Sequence, residues 1–222
     1  MRPRFAAIAA CAGNACAYAV VNTTPLVLGA LMQGLGLDEA AAGLLMTAAL
    51  LTMGLVALGC APFLTGTRKR RVALAAAVVI VCGEAFAALC SSGAWMMLWM
   101  LMIGAGAGAL LAAVNAIIAA SSAPDRLFGH ALMSAYAVAA LLVFGLAPAI
   151  EIAGHHGAFA TLAAFSLASL PLLRGLPRES ATVSTTCAAQ TSSTRAGLAL
   201  LLGIVVIGIP MMGFYAFIDG LG

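Results

Sequence analysis

The sequence predicts an all-α membrane protein, a polytopic bundle of transmembrane helices that crosses the bilayer about seven times. Three observations predict it. The 222 residues are 64% hydrophobic and 8% charged, with a mean hydropathy of +1.13, whereas a soluble domain carries roughly 25% charged residues. Seven runs are apolar for long enough to cross a hydrocarbon layer about 30 Å thick, which a helix rising about 1.5 Å per residue spans in about 20 residues. Every lysine and arginine falls on one side of the resulting threading.

The runs are Phe5–Met32, Ala42–Thr65, Val72–Cys90, Ala94–Ala120, Leu127–Ile150, Gly157–Leu173 and Gly197–Ile218. Each is continuously apolar, which excludes barrel strands, because those alternate apolar and polar residues over about 10 positions. In the first run Pro25 lacks a backbone donor and favours a kink. The fourth carries Gly104-Ala105-Gly106-Ala107-Gly108, and the sixth is the shortest. Loops before Arg174 are short, as expected of antiparallel neighbours.

Basic residues near span ends are retained in the cytoplasm. Arg2 and Arg4 precede the first span, Arg68, Lys69, Arg70 and Arg71 follow the second, Arg126 follows the fourth, and Arg174, Arg178 and Arg195 follow the sixth. The opposite loops hold Asp38 and Glu39, then Glu151, His155 and His156, then Asp219. The N-terminus is therefore expected in the cytoplasm, in a bacterial inner membrane. The net charge of +3 reads as topology, with no basic surface arranged for nucleic acid. A cleaved secretory or lipoprotein signal is the competing reading of Arg2 to Ala17. The apolar run continues to Met32, too long for the central region of a signal, so an uncleaved helix is expected.

The six cysteines, Cys11, Cys16, Cys60, Cys82, Cys90 and Cys187, form no CxxC pair and no metal-ligand spacing with histidine. They read as small apolar packing residues. Adjacent His155 and His156 point in different directions on a helix, which argues against a metal site. No cofactor and no metal are expected.

Between Arg174 and Ala196 the chain becomes rich in serine and threonine and holds too few large apolar groups to build a core. The expected domains are a six-helix bundle over 1–174, a flexible cytoplasmic linker over 175–196 and a seventh transmembrane helix over 197–222. Six spans, a cytoplasmic linker and a new span resemble the major facilitator superfamily of secondary transporters. Between spans two and three, Gly59, Gly66 and Arg68-Lys69-Arg70-Arg71 match the loop motif of that family, although Phe63 stands where its acid belongs. The glycines of span four and Pro124-Asp125-Arg126 also resemble it, with Met100 at the position of an expected arginine. Phe214 to Gly222 resembles the aromatic end of the family's seventh helix. The resemblance covers the first half and one helix of the usual twelve, and span five lacks the full glycine-proline motif of the drug-proton antiporters.

Several residues are candidates for function. Small residues four apart mark helix contact faces in lipid, and Gly104, Gly108 and Ala112 form such a row. Asn14, Tyr18 and Asn22, also four apart, share one face of span one. That face either lines a water-filled cavity or bonds neighbouring helices. The resemblance implies that helices one and four border a central cavity, which adds Asn115 to the substrate-pathway candidates. Glu84 is the acid that lies well inside a span, so it must be protonated, paired or wet. A proton-coupling role is the functional reading, and a neutral acid bonded to a neighbour is the structural one. His130, with Ser134 on the same face of span five, is expected to meet headgroups or loop carbonyls.

The resemblance implies a secondary active transporter of a small solute, working by alternating access, of which this chain is an N-terminal or truncated form. Its partners are the bilayer, the solute, and a second half-bundle or a second copy of itself. The alternative is a membrane-embedded binding or assembly protein without transport, consistent with Phe63 and Met100. An enzyme is the weakest reading, since the chain has no HExxH pair, no GxSxG elbow and no carboxylate pair within a span.

Overall fold

The computed structural model describes residues 3–64 and 68–177. Gly66, Arg178, Arg195, nearly all of the expected linker and the whole expected seventh span lie outside the described residues. Those described are helical throughout, with no strand among them: α1 Pro3–Asn22, α2 Thr24–Leu35, α3 Glu39–Cys60 with a 3-10 turn at Ala61–Phe63, α4 Arg68–Leu89, α5 Gly93–Ala119 and α6 Pro124–Leu173. Five of these helices are long and apolar enough to cross a membrane. The chain is an all-α membrane helical bundle.

Span one is broken where its proline predicts. Pro25 cannot donate to the carbonyl of Val21 and its ring crowds that carbonyl. The Thr24 hydroxyl donates to the Val21 carbonyl at 2.7 Å instead, and the Thr23 hydroxyl to that of Ala19 at 2.8 Å. The helix interrupts at Thr23 and resumes as α2, which ends at Gly36 in the left-handed conformation (φ 63°). Asp38 then caps α3, its carboxylate accepting from the Ala41 N–H at 2.7 Å, which satisfies one orphan donor of the new helix.

The 50 residues of α6 would stretch to about 75 Å as one rod, more than twice the hydrocarbon thickness. They do not. Gly154 adopts φ 58°, ψ −139°, a conformation open to glycine at little steric cost, and the chain reverses there. The two arms, 124–153 and 155–173, pack side by side, with Gly145 facing Thr161 and Gly157 pressed against the backbone of Ala149. These arms correspond to the fifth and sixth spans.

At the centre lies α5, packed against α3, α4 and α1. Its glycines explain the position. Gly104 and Gly108, one turn apart, sit against the backbone carbonyls of Ala49 and Met53 on α3, while Gly106 on another face meets Ala76 and Ile80 on α4. A Cβ at any of the three would collide with the neighbouring helix, so the absence of side chains lets α5 approach two helices at once. Ala112 continues the row, partly buried against the core. The interior has two apolar clusters. One, around Ala10, Ile80, Val114 and Leu173, lies toward the end of the bundle that carries the basic run. The other, around Leu31, Met96, Met100 and Phe159, lies toward the opposite end. Met100 is fully buried there, among apolar neighbours where an arginine would lack a counter-ion.

Candidate functional site

The polar residues of α1 divide between two environments. Asn14 is buried, and its side-chain amide donates to the carbonyl of Ala131 on α6 at 3.0 Å. Close by, the Ser134 hydroxyl reaches both the Ala131 carbonyl at 2.8 Å and the Cys11 carbonyl at 3.5 Å. This bond is the interhelical contact that the sequence offered as one of two roles for Asn14. One turn along, Tyr18 is half-buried and lies near Tyr136 of α6, whose own ring is largely exposed. Asn22, half-buried, closes α1. The face that sequence spacing assembles is thus turned toward α6 at one level and opens at the next.

On the other side of α1, Gly13 lies against Val114 and Leu110 of α5. Asn115, the next residue, is half-buried, and its side-chain carbonyl oxygen is enclosed with no hydrogen-bond partner. An enclosed amide oxygen without a donor costs roughly 1–3 kcal/mol, so it is a place where a hydroxyl, an amine or a water is wanted.

Glu84 on α4 is completely buried, and neither carboxyl oxygen meets a donor in hydrogen-bonding geometry. The polar side chain facing it is Ser166, from the second arm of α6. Ser166 is itself buried and lies 3.6 Å from the Cys16 thiol of α1, which donates to it. With its lone pair engaged by the thiol, the Ser166 hydroxyl is free to turn its proton toward the carboxyl group. One acid, one hydroxyl and one thiol, each from a different helix, make the interior polar cluster of the described bundle. Spacing could not supply Ser166 or Cys16, because 150 residues separate them in the chain. Glu84 alone signalled that something polar must meet it.

The basic run closes the bundle at its end. Arg68 and Arg71 are exposed, while Lys69 and Arg70 turn inward. The Lys69 ammonium donates to the carbonyl of Ala116 in the last turn of α5 at 3.2 Å. The Arg70 guanidinium donates to the carbonyl of Arg174 just beyond α6 at 2.9 Å. Both cations meet the negative ends of helix dipoles. Gly59 has open space around it, and Phe63 is exposed in its turn. His130 Nδ1 donates to the carbonyl of Arg126 at 2.6 Å, one turn back on its own helix.

At the opposite end the two adjacent histidines both hold the end of α4. His155 Nε2 lies 2.8 Å from the carbonyl oxygen of Cys90, and His156 Nδ1 lies 2.6 Å from that of Ala88. Their rings are 3.9 Å apart and tilted by 37°. No group of three or more metal-ligating side chains occurs among the described residues, and the five described cysteines are free thiols.

No known protein-family model matches the chain, and no curated protein matches it. Among solved structures it is similar to the crystal structure of a mutant of the peptide transporter POT in complex with alafosfalin. That likeness has 21% identity and a TM-score of 0.53, and it covers 94% of this chain and 44% of the other. The chain thus spans less than half the length of that transporter. At such identity the likeness shows the fold alone: an all-α membrane helical bundle.

Proposed function

We propose that the chain forms the first six-helix bundle, with the seventh helix, of a secondary active transporter of the major facilitator type, moving a small solute by alternating access. In such folds one bundle rocks against another around a site near the bilayer midplane. The observation that carries the reading is Asn115: an enclosed, unpartnered amide oxygen on the central helix of a bundle with a transporter fold. Asn115, Tyr18 and Asn22 supply the solute pathway, and Asn14 holds α1 against α6 beside it. Glu84, enclosed without an ion pair, supplies the proton-coupling carboxyl group, consistent with the functional role intramembrane acids usually have. The basic end faces the cytoplasm of a bacterial cell, with 175–196 as the linker to a second half.

Proteoliposome flux tests this in two arms. The chain alone is expected to give no uptake, and the chain with a second six-helix bundle to give uptake driven by a pH gradient. In that assembly Asn115→Leu removes flux and Glu84→Gln removes its pH dependence. Robust uptake by the purified chain alone overturns the half-carrier reading, undiminished flux in Asn115→Leu overturns the pathway, and an unchanged pH profile in Glu84→Gln overturns the coupling.

A further inference from the structure

The reversal of α6 places two imidazoles against a helix end, with a bare nitrogen sealed between helices. The last four carbonyls of α4 have no partner within that helix, and His156 meets one of them, that of Ala88, at 2.6 Å. His155 meets the carbonyl of Cys90, the residue just beyond the helix, at 2.8 Å. A carbonyl only accepts, so the nitrogen facing it carries the proton: Nδ1 in His156 and Nε2 in His155. The other nitrogen of a neutral imidazole is a bare lone pair. For His155 that is Nδ1, which is buried with no hydrogen-bond partner. It lies over Gly34 of α2 in space that a side chain there would occupy.

We propose that His155 and His156 form a latch that fastens the α6 reversal to the end of α4 while both rings are neutral, and that acid releases by protonating His155 Nδ1. A proton on Nδ1 would place a buried N–H without an acceptor, and a positive charge without a counter-ion, against the backbone of α2. Both cost free energy. With His156 also charged, two cations would face each other across 3.9 Å. The way out is for the ring to leave the pocket, and Gly154 (φ 58°) beside it supplies a backbone joint at which the arms of α6 can move.

Among the described residues no carboxylate acts on His155: on α4, Glu84 is enclosed in the bundle interior beside Ser166. Helix α2 has no ionisable side chain, the first turn of α5 has none, and the α4–α5 turn contributes the Cys90 thiol, which donates to the Ser92 carbonyl at 3.3 Å. On α6, Glu151 is exposed ahead of the reversal. In the α2–α3 loop, Asp38 caps α3 and Glu39 is exposed. The charge that acts on His155 is that of His156. Burial lowers the pKa of His155 below the ordinary histidine value, the bond to the Cys90 carbonyl opposes this, and His156 adds to the lowering.

Cys90 reports on the latch, because the residue is buried and its carbonyl is the one that His155 holds. The full chain in nanodiscs is treated with a pyridyl disulfide, a reagent that keeps its reactivity toward thiols in acid, and peptide mass spectrometry reads the modification of Cys90. Rates are normalised to Cys90 in the unfolded chain. The normalised rate is expected to rise about tenfold for each pH unit between about 6.5, where the released ring titrates, and the lowered pKa of the seated ring, and to level off below that. His155→Gln, a donor that does not titrate, should stay slow at every pH. Gly34→Ala, whose methyl group occupies the pocket of Nδ1, should be fast at every pH. A wild-type rate independent of pH overturns the proposal, as does a His155→Gln rate that rises as steeply as the wild type. Imidazole nitrogen NMR of the wild-type chain gives a test that needs no variant to fold. His155 should gain its proton at a pH below the ordinary histidine value and lose its Cys90 bond in the same step. A His155 that protonates with that bond intact overturns the latch.

Discussion

The side-chain amide of Asn14 and the carbonyl of Ala131 lie 3.0 Å apart although 117 residues separate them, and this bond fixes α1 to the first arm of α6. It joins two helices within the membrane. Interhelical bonds of this kind contribute about 0.6 kcal/mol on average, because an unfolded chain within a membrane also finds partners. Asn14→Leu is therefore expected to lower stability by about 1 kcal/mol or less, measured by reversible unfolding in mixed micelles. A loss several times larger would mean that Asn14 holds more than this bond.

Glycines in this chain divide by what faces them. Gly108→Val is expected to force α3 off α5 and to cost about 1–3 kcal/mol or more, since the new side chain meets the Met53 backbone, which has no rotamer to yield. Gly59→Ala has open space around it and should change stability by no more than about 0.5 kcal/mol. Thermal denaturation of the two variants side by side decides it.

Cations at the basic end separate in the same way. Arg70→Gln removes the donor to the Arg174 carbonyl and should cost about 0.3–1 kcal/mol. Arg71→Gln, at an exposed position in the same turn, should leave stability unchanged. Equal losses in the two variants would show that net charge, and no particular helix end, is what the run supplies.

Acid should weaken the opposite end. The folded chain holds His155 at a lowered pKa, so between that value and the ordinary histidine pKa near 6.5 the unfolded chain binds more protons than the folded one. Stability is then complete above the ordinary value and falls as pH drops through it. The melting temperature should decrease from neutral pH to about pH 5.5, and His155→Gln should flatten the decrease.

The interior acid makes a prediction about shape and charge. Glu84→Gln keeps the volume and a hydrogen-bonding group beside Ser166 and should fold. Glu84→Lys places a cation in the same enclosed space, with no acid facing it among the described residues, and is expected to abolish recovery of folded protein from membranes. Size-exclusion profiles after mild detergent extraction distinguish the two.

The amino-acid order by itself determined that the chain is a bundle of membrane helices. Continuous apolar runs have one stable form in a solvent that cannot hydrogen-bond, and the placement of Arg68 to Arg71, Arg126 and Arg174 orders their ends. It also determined the break before Pro25 and the close helix contact at Gly104 and Gly108, because both follow from local covalent geometry: a missing donor in one case and a missing side chain in the other. What it could not determine was which polar groups meet. Periodicity placed Asn14, Tyr18 and Asn22 on one face, but the tertiary structure decided that the Asn14 amide bonds the Ala131 carbonyl while the amide oxygen of Asn115 has no partner. It likewise decided that Glu84 faces Ser166 and, through it, Cys16, and that two histidines dismissed as metal ligands hold the end of α4. Helical spacing reports neighbours within about a turn, whereas a buried hydrogen bond is chosen by whichever helix packs alongside, and that choice is made by the glycine and alanine contacts of the whole bundle.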